Sequence, residues 1–242
     1  MASKPALYTC LSPALLHLYD LSESSVVIID VLRATSTIAT ALYNGASSVI
    51  PVASVPRCIE LGKELGAITA GERDGKVAEG LEHGNSPFEY PRSFIEDKTL
   101  VLTTTNGTKL LHMALDNGAE EIITGSFPNL SAVCDHLVKR NRPVILGCAA
   151  WKDRVNLEDT LFAGAVIDRI GSQFSINCDS SHMALGLYRS ARSDLFEFMK
   201  ANDASHYHRL MGFGLEKDIR YCLSPDQANV LSLFVGDRLI AH

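Results

Sequence analysis

One stretch of this chain occurs twice, and the repeat limits the folds open to it. Residues 26–50 read VVIIDVLRATSTIATALYNGASSVI and residues 99–123 read TLVLTTTNGTKLLHMALDNGAEEII. They align without a gap at an offset of 73, so Asp30 falls on Thr103, Thr35 on Thr108 and Asn44-Gly45-Ala46 on Asn117-Gly118-Ala119. Each copy is an apolar run, a polar turn, a helix-like stretch, an Asn-Gly stop and a second apolar run. That order is the pattern of a strand–loop–helix–strand unit. Ligands of such units gather at the loop after the first strand. Here those loops are 30–35 (DVLRAT) and 103–108 (TTTNGT), both more polar than a connection requires.

The rest of the chain fits the same class. Val26–Ile29 is an unbroken apolar run, which predicts a strand buried on both faces of a parallel sheet. Further strands are expected at 6–10, 49–53, 67–70, 144–147 and 173–178, and a closing hairpin around Gly236-Asp237. Helices are expected at 12–20, 35–43, 55–65 and 128–139, after Asn156, and through most of 180–222. No linker divides the chain. We expect one three-layer α/β/α domain over residues 1–242, with a largely parallel or mixed sheet and repeat units at about 26–54 and 99–127. Between the copies, residues 71–91 are rich in Gly, Pro and charge without periodicity. A loop of that length in a compact domain is usually functional or disordered, and its polar clusters and closing Asn85-Ser86-Pro87 turn favour function.

Composition narrows the partners. The net charge is −6 with both signs scattered, which argues against nucleic acid or an anionic membrane. The amino-terminal residues do not read as a signal peptide, no segment is apolar enough to span a bilayer, and cytoplasm is expected. Six widely spaced cysteines, none in C-x-x-C, read as reduced thiols rather than disulfides or a zinc site. A homo-oligomer is left open.

The polar loops supply the candidate chemistry. Asp30 ends a buried strand, where a carboxylate suits a divalent cation or a nucleophile; the alternative is a helix cap. Arg33 is either a phosphate clamp or the salt-bridge partner of Asp30. Residues 103–108, which include Thr105, Asn106 and Thr108, form a hydroxyl- and amide-rich turn before a helix, a natural anion cradle. In the long loop, Glu72 suits a metal, Arg73 an anion, and Asn85 and Ser86 an oxygen shell; taken singly, each reads more readily as a turn or surface residue. Glu158 and Asp159 open a helix, which suits either a metal site or the helix dipole alone. Cys148 and Arg154 have the C-x5-R spacing of a cysteine phosphatase, a rival, metal-independent reading, although the segment lacks that loop's glycines. His206-x-His208 puts its two rings on different helix faces and reads as a solvated stretch.

Taken together, DVLRAT, GER, GNSP, TTNGT, GCA followed by LEDTLFAGA, and the stretch Leu210–Leu223 resemble the 2-phosphosulfolactate phosphatase family, in order, from about Val26 to the carboxyl terminus. The resemblance implies an α/β fold. It also implies Mg2+-dependent hydrolysis of 2-phospho-3-sulfolactate, a small phosphorylated anionic metabolite, to 3-sulfolactate and phosphate, a step toward coenzyme M. On that footing Asp30, Glu72 and Glu158 or Asp159 are expected to hold Mg2+, and Arg33, Asn106 and Thr108 to grip phosphate. Arg73 and either Lys152 or Arg154 are expected to bind the sulfonate or carboxylate, with Asn85, Ser86 and Thr105 nearby. Position 32 is Leu, so the D-x-D of aspartyl-phosphate phosphatases is absent, which favours metal-activated water over Asp30 as nucleophile. A non-catalytic binder of a phosphorylated metabolite is the remaining alternative.

Overall fold

The structure is a computed structural model that describes residues 3–73 and 76–242. Strand β1 (Leu7–Cys10) leads through a 3-10 turn to β2 (Ser25–Ile29), α1 (Ala34–Tyr43), β3 (Ser48–Pro51), α2 (Val55–Leu65), β4 (Ile68–Arg73) and β5 (Lys76–Val77). A short α3 (Arg92–Ile95) precedes the second copy, β6 (Thr99–Thr103), α4 (Gly107–Asp116) and β7 (Glu121–Gly125). Then come α5 (Leu130–Arg140), β8 (Val144–Cys148) and α6 (Leu157–Ile170). Four helices follow, α7 (Asp179–Ala191), α8 (Leu195–Ala201), α9 (Ser205–Gly212) and α10 (Glu216–Cys222), before the hairpin β9 (Ser232–Val235) and β10 (Arg238–Ala241).

The strands form one mixed sheet in the order β1-β8-β2-β7-β9-β10-β3-β6-β4-β5. The two copies are interleaved: the first strand of each pairs in parallel with the second strand of the other, β2 with β7 and β6 with β3. The carboxyl-terminal hairpin sits between the halves, antiparallel to β7 on one side and to β3 on the other. Consequently β1, β8, β2 and β7 run opposite to β3, β6 and β4.

Alternation along the strands sorts the core into layers. Val26 and Ile28 of β2, Leu100 and Leu102 of β6 and Val49 of β3 pack with Ile38 and Leu42 of α1 and Leu110 and Leu111 of α4 on one face. On the other face, Val27 and Ile29 of β2 and Val144 and Leu146 of β8 meet α5, α6 and α7, while Ile50 and Val101 meet Cys58 of α2. The result is a three-layer α/β/α fold. Among the described residues no helix is long and apolar enough to cross a membrane, and all six cysteines are free.

Three expectations need correction. Residues 173–178 form no strand: a 3-10 turn at Gly171–Gln173 is followed by a single bridge between Ser175 and Ala6, too little pairing to extend β1. Residues 13–18 form a 3-10 rather than an α-helix. The strand expected at 67–70 continues to Arg73, because Glu72 and Arg73 pair with Val77 and Lys76. Asp74 and Gly75 lie outside the described residues. Beyond them the chain returns along the sheet edge, where the Gly71 N–H donates to His83 O (3.0 Å) and the His83 N–H to Thr69 O (3.1 Å). That return carries Asn85 back toward the end of β2.

Candidate active site

The two duplicated loops meet. Gly107, the first residue of α4, lies so close to Asp30 that a Cβ placed on it would stand 2.8 Å from Asp30 Oδ2 and 3.3 Å from Ala34 Cβ. Ala34 and Gly107 are equivalent under the 73-residue offset, so the local two-fold relating the copies passes through this contact. A pocket opens beside it, lined by Asp30, Arg33, Glu72, Asn85, Thr104, Thr105 and Asn106, and by His206, Arg209 and Leu210 of α9. It encloses about 20 Å³, space for one water-sized or ion-sized occupant.

Asp30 sits at the end of β2. Its backbone N–H donates to Thr35 Oγ1 (3.1 Å), and its C=O accepts from Thr35 N (2.9 Å), which fixes the turn into α1. Burial pushes the Asp30 carboxyl up to about 6; His206 opposes the shift, and the charges of Glu72 and Glu158 add to it. Arg33 is buried and pairs with Asp218 of α10, not with Asp30. The Leu32–Arg33 peptide beside it is cis. Thr105 Oγ1 lies 3.5 Å from Glu72 Oε1, a long contact across the pocket.

The paired acids at the start of α6 do different things. Asp159 accepts from two backbone amides, Val31 N–H (3.0 Å) and Ala150 N–H (3.1 Å), and so ties the β2–α1 loop to the β8–α6 loop. Burial and the neighbouring Glu158 and Asp30 charges push its carboxyl well above the usual carboxylate range. Glu158 is buried and hydrogen-bonded through Oε1 to His206 Nδ1.

Several expected residues lie elsewhere. The Thr108 hydroxyl donates to Thr104 O (2.7 Å), and the residue lines a separate space with Ile28, Ile38 and Leu111. Ser86 caps a 3-10 turn by accepting from the Phe88 N–H (3.3 Å). Arg73 donates to Glu72 O (2.6 Å) and reaches Thr103 Oγ1 (3.4 Å), bracing the ends of β4 and β6. Arg154 is exposed and lines neither the pocket nor the hollow beside it. Lys152 lies over the Trp151 ring, 4.7 Å from its centroid. The cysteine-phosphatase reading does not fit this geometry. Cys148 is fully buried in the sheet, and burial with the nearby Asp159 charge pushes its thiol well above its ordinary value, so the thiolate is disfavoured.

His206, Arg209 and Asp218 were not among the expected residues. The available signal was the i, i+3 spacing of His206 and Arg209, which puts them on one helix face. Pairing His206 with His208 obscured it, because His208 faces Asp203 at the surface.

Among the described residues no three His, Cys, Asp or Glu side chains stand together as a metal-ligand group. Neither Glu158 nor Asp159 joins Asp30 and Glu72 in lining the pocket, which the latter two line as a pair. Asn85 Oδ1 is buried there without a hydrogen-bond partner. Two carboxylates and an unsatisfied amide oxygen fit Mg2+, a hard ion usually held by one or two carboxylates with waters and substrate phosphate completing the shell.

Carboxylates, a buried arginine and a helix-opening Thr-Thr-Asn turn at the edge of an α/β sheet form a site suited to a small anionic ligand. Residues 10–237 match the 2-phosphosulpholactate phosphatase family, and the chain belongs to it. It is 44% identical over 202 residues to a probable 2-phosphosulfolactate phosphatase of Thermotoga maritima, covering 84% of this chain and 85% of the relative. It is 39% identical over 216 residues to one of Caldanaerobacter subterraneus subsp. tengcongensis, covering 88% of each. A third, of Clostridium acetobutylicum, is 34% identical over 230 residues, 91% of this chain and 96% of the relative.

Proposed function

We propose that the chain hydrolyses 2-phospho-3-sulfolactate, or a closely similar 2-phospho acid, to 3-sulfolactate and phosphate in a Mg2+-dependent reaction in the cytoplasm. One observation carries the reading: Asp30 and Glu72 share a tight pocket with Arg33, Asn106 and the unsatisfied Asn85 oxygen. Asp30, Glu72 and Asn85 Oδ1 would hold the ion, which when bound would supply Lewis-acid polarisation of the phosphoryl group. Arg33, fixed by Asp218, and Asn106 orient the phosphoryl oxygens, and the first amides of α4 oppose the charge that develops on them. His206, which lines the pocket with Nδ1 held by Glu158, would serve as proton donor through its other ring nitrogen. Water attacks phosphorus, the bond from phosphorus to the C2 oxygen breaks, and that oxygen takes its proton from His206, which the attacking water replenishes.

The test is phosphate release from a panel of 2-phospho acids, with and without chelator. The expected result is release that EDTA abolishes and added Mg2+ restores, and that Cys148→Ser retains. Release indifferent to EDTA would remove the metal from the reaction. Saturable binding without release would make the chain a binder rather than an enzyme.

A further inference from the structure

Beside the pocket lies a roomier hollow of about 170 Å³, lined by Trp151, Ser205, His206 and Arg209. His206 and Arg209 line both spaces, which therefore adjoin. The inner pocket is tight and polar, so the organic part of a phosphate ester held there extends outward, and the hollow is the space next to it.

The cations around the site are mostly engaged. Arg33 is paired with Asp218, Lys109 with Asp153 (2.8 Å), and Arg73 is held by Glu72 O and Thr103. Lys152 and Arg209 form no ion pair among the described residues, and of the two it is Arg209 that lines both spaces, with its Nε buried without a hydrogen-bond partner. Its guanidinium lies over the Trp151 ring, 4.8 Å from the centroid, and Lys152 lies over the same ring. A stacked guanidinium is held in place at little entropic cost, and a buried N–H without an acceptor is relieved when an oxyanion arrives.

We propose that Arg209, on its Trp151 shelf, binds the second oxyanion, carboxylate or sulfonate, of a doubly anionic phosphate ester lying in this hollow. The inference rests on reading the adjoining pocket as the phosphoryl site. It makes Arg209 the residue that distinguishes such esters from simple alkyl phosphates.

Trp151 is the chain's single tryptophan, so its fluorescence reports on the hollow directly. 3-Sulfolactate, which carries both oxyanions and no phosphate, is titrated into wild type, Arg209→Gln and Arg209→Lys, each shown folded by circular dichroism. Wild-type emission is expected to saturate. Arg209→Gln is expected to bind at least about tenfold more weakly, as loss of a charge-assisted bidentate contact requires, with Arg209→Lys in between. The ratio of kcat/KM for a 2-phospho acid over 2-glycerophosphate should fall about as much in Arg209→Gln. Malate in place of 3-sulfolactate separates a carboxylate ligand from a sulfonate ligand. Unmoved emission in wild type, or equal affinity in Arg209→Gln and Arg209→Lys, overturns the proposal. Saturable 3-sulfolactate binding in a protein that releases no phosphate overturns the proposed reaction and leaves this site standing.

Discussion

At the contact between the two copies, Gly107 is required by its neighbour rather than by its own backbone. Any Cβ there would press on Asp30 Oδ2 at 2.8 Å. Gly107→Ala is expected to lower kcat about 10- to 100-fold by moving that carboxylate, since displacements near 1 Å have such effects. Alanine favours the helix, so the melting temperature should change little. Steady-state kinetics alongside a thermal melt check this, and an unimpaired kcat would show that Asp30 needs no fixed position. The same contact explains what sequence could and could not reveal. Asp30 and Asn106 were legible because each lies in the polar loop that follows an apolar run in its copy of the repeat, Asn106 at the place of Arg33. Thr108 looked equally suitable, yet a hydroxyl in the first turn of a helix can bond a carbonyl four residues back instead, and here it bonds Thr104 O. His206 and Arg209 stand on a helix far along the chain, and only tertiary packing brings their shared face to Asp30.

Among the elements, the strands were the most readable, because apolar runs such as VVII and LVL indicate both type and burial. Extents at the sheet edge were less so: β4 continues into a charged Glu-Arg stretch because β5 pairs with it, a contact that no local pattern announces. The start of the β2–β7 pair offers a test of strand registry. Ser25 stands opposite Glu121, and Ser25 Oγ donates to Glu121 Oε1 (2.6 Å). Burial alone would raise the Glu121 carboxyl, but His136, Ser25 and Arg140 outweigh it and hold it down to about 2. The unfolded chain therefore takes up a proton at higher pH than the folded one. The stabilisation is complete above about pH 4.5 and is lost as pH falls toward 2. Glu121→Gln is expected to cost about 2–3 kcal/mol near neutrality and to flatten the acid limb of a stability–pH curve measured by urea unfolding. A limb as steep as that of wild type would assign the acid sensitivity to other carboxylates.

For the whole molecule, the repeat announced the α/β class but not the way its copies interlock, because sequence similarity carries no information about which strand pairs with which. Nor does it show that the last hairpin is the link. Among the described strands, β9 and β10 alone join the half containing β2 and β7 to the half containing β3 and β6. Removing residues 231–242 is expected to abolish cooperative melting and expose apolar surface to a dye such as ANS, although both copies of the repeat remain. A sharp transition near the wild-type temperature would show that helix packing alone holds the halves together. The position of that hairpin also sets a schedule for biosynthesis. The ribosome delivers β9 and β10 after both of the strands they join, so β7 and β3 wait with unpaired inner edges until the hairpin has emerged.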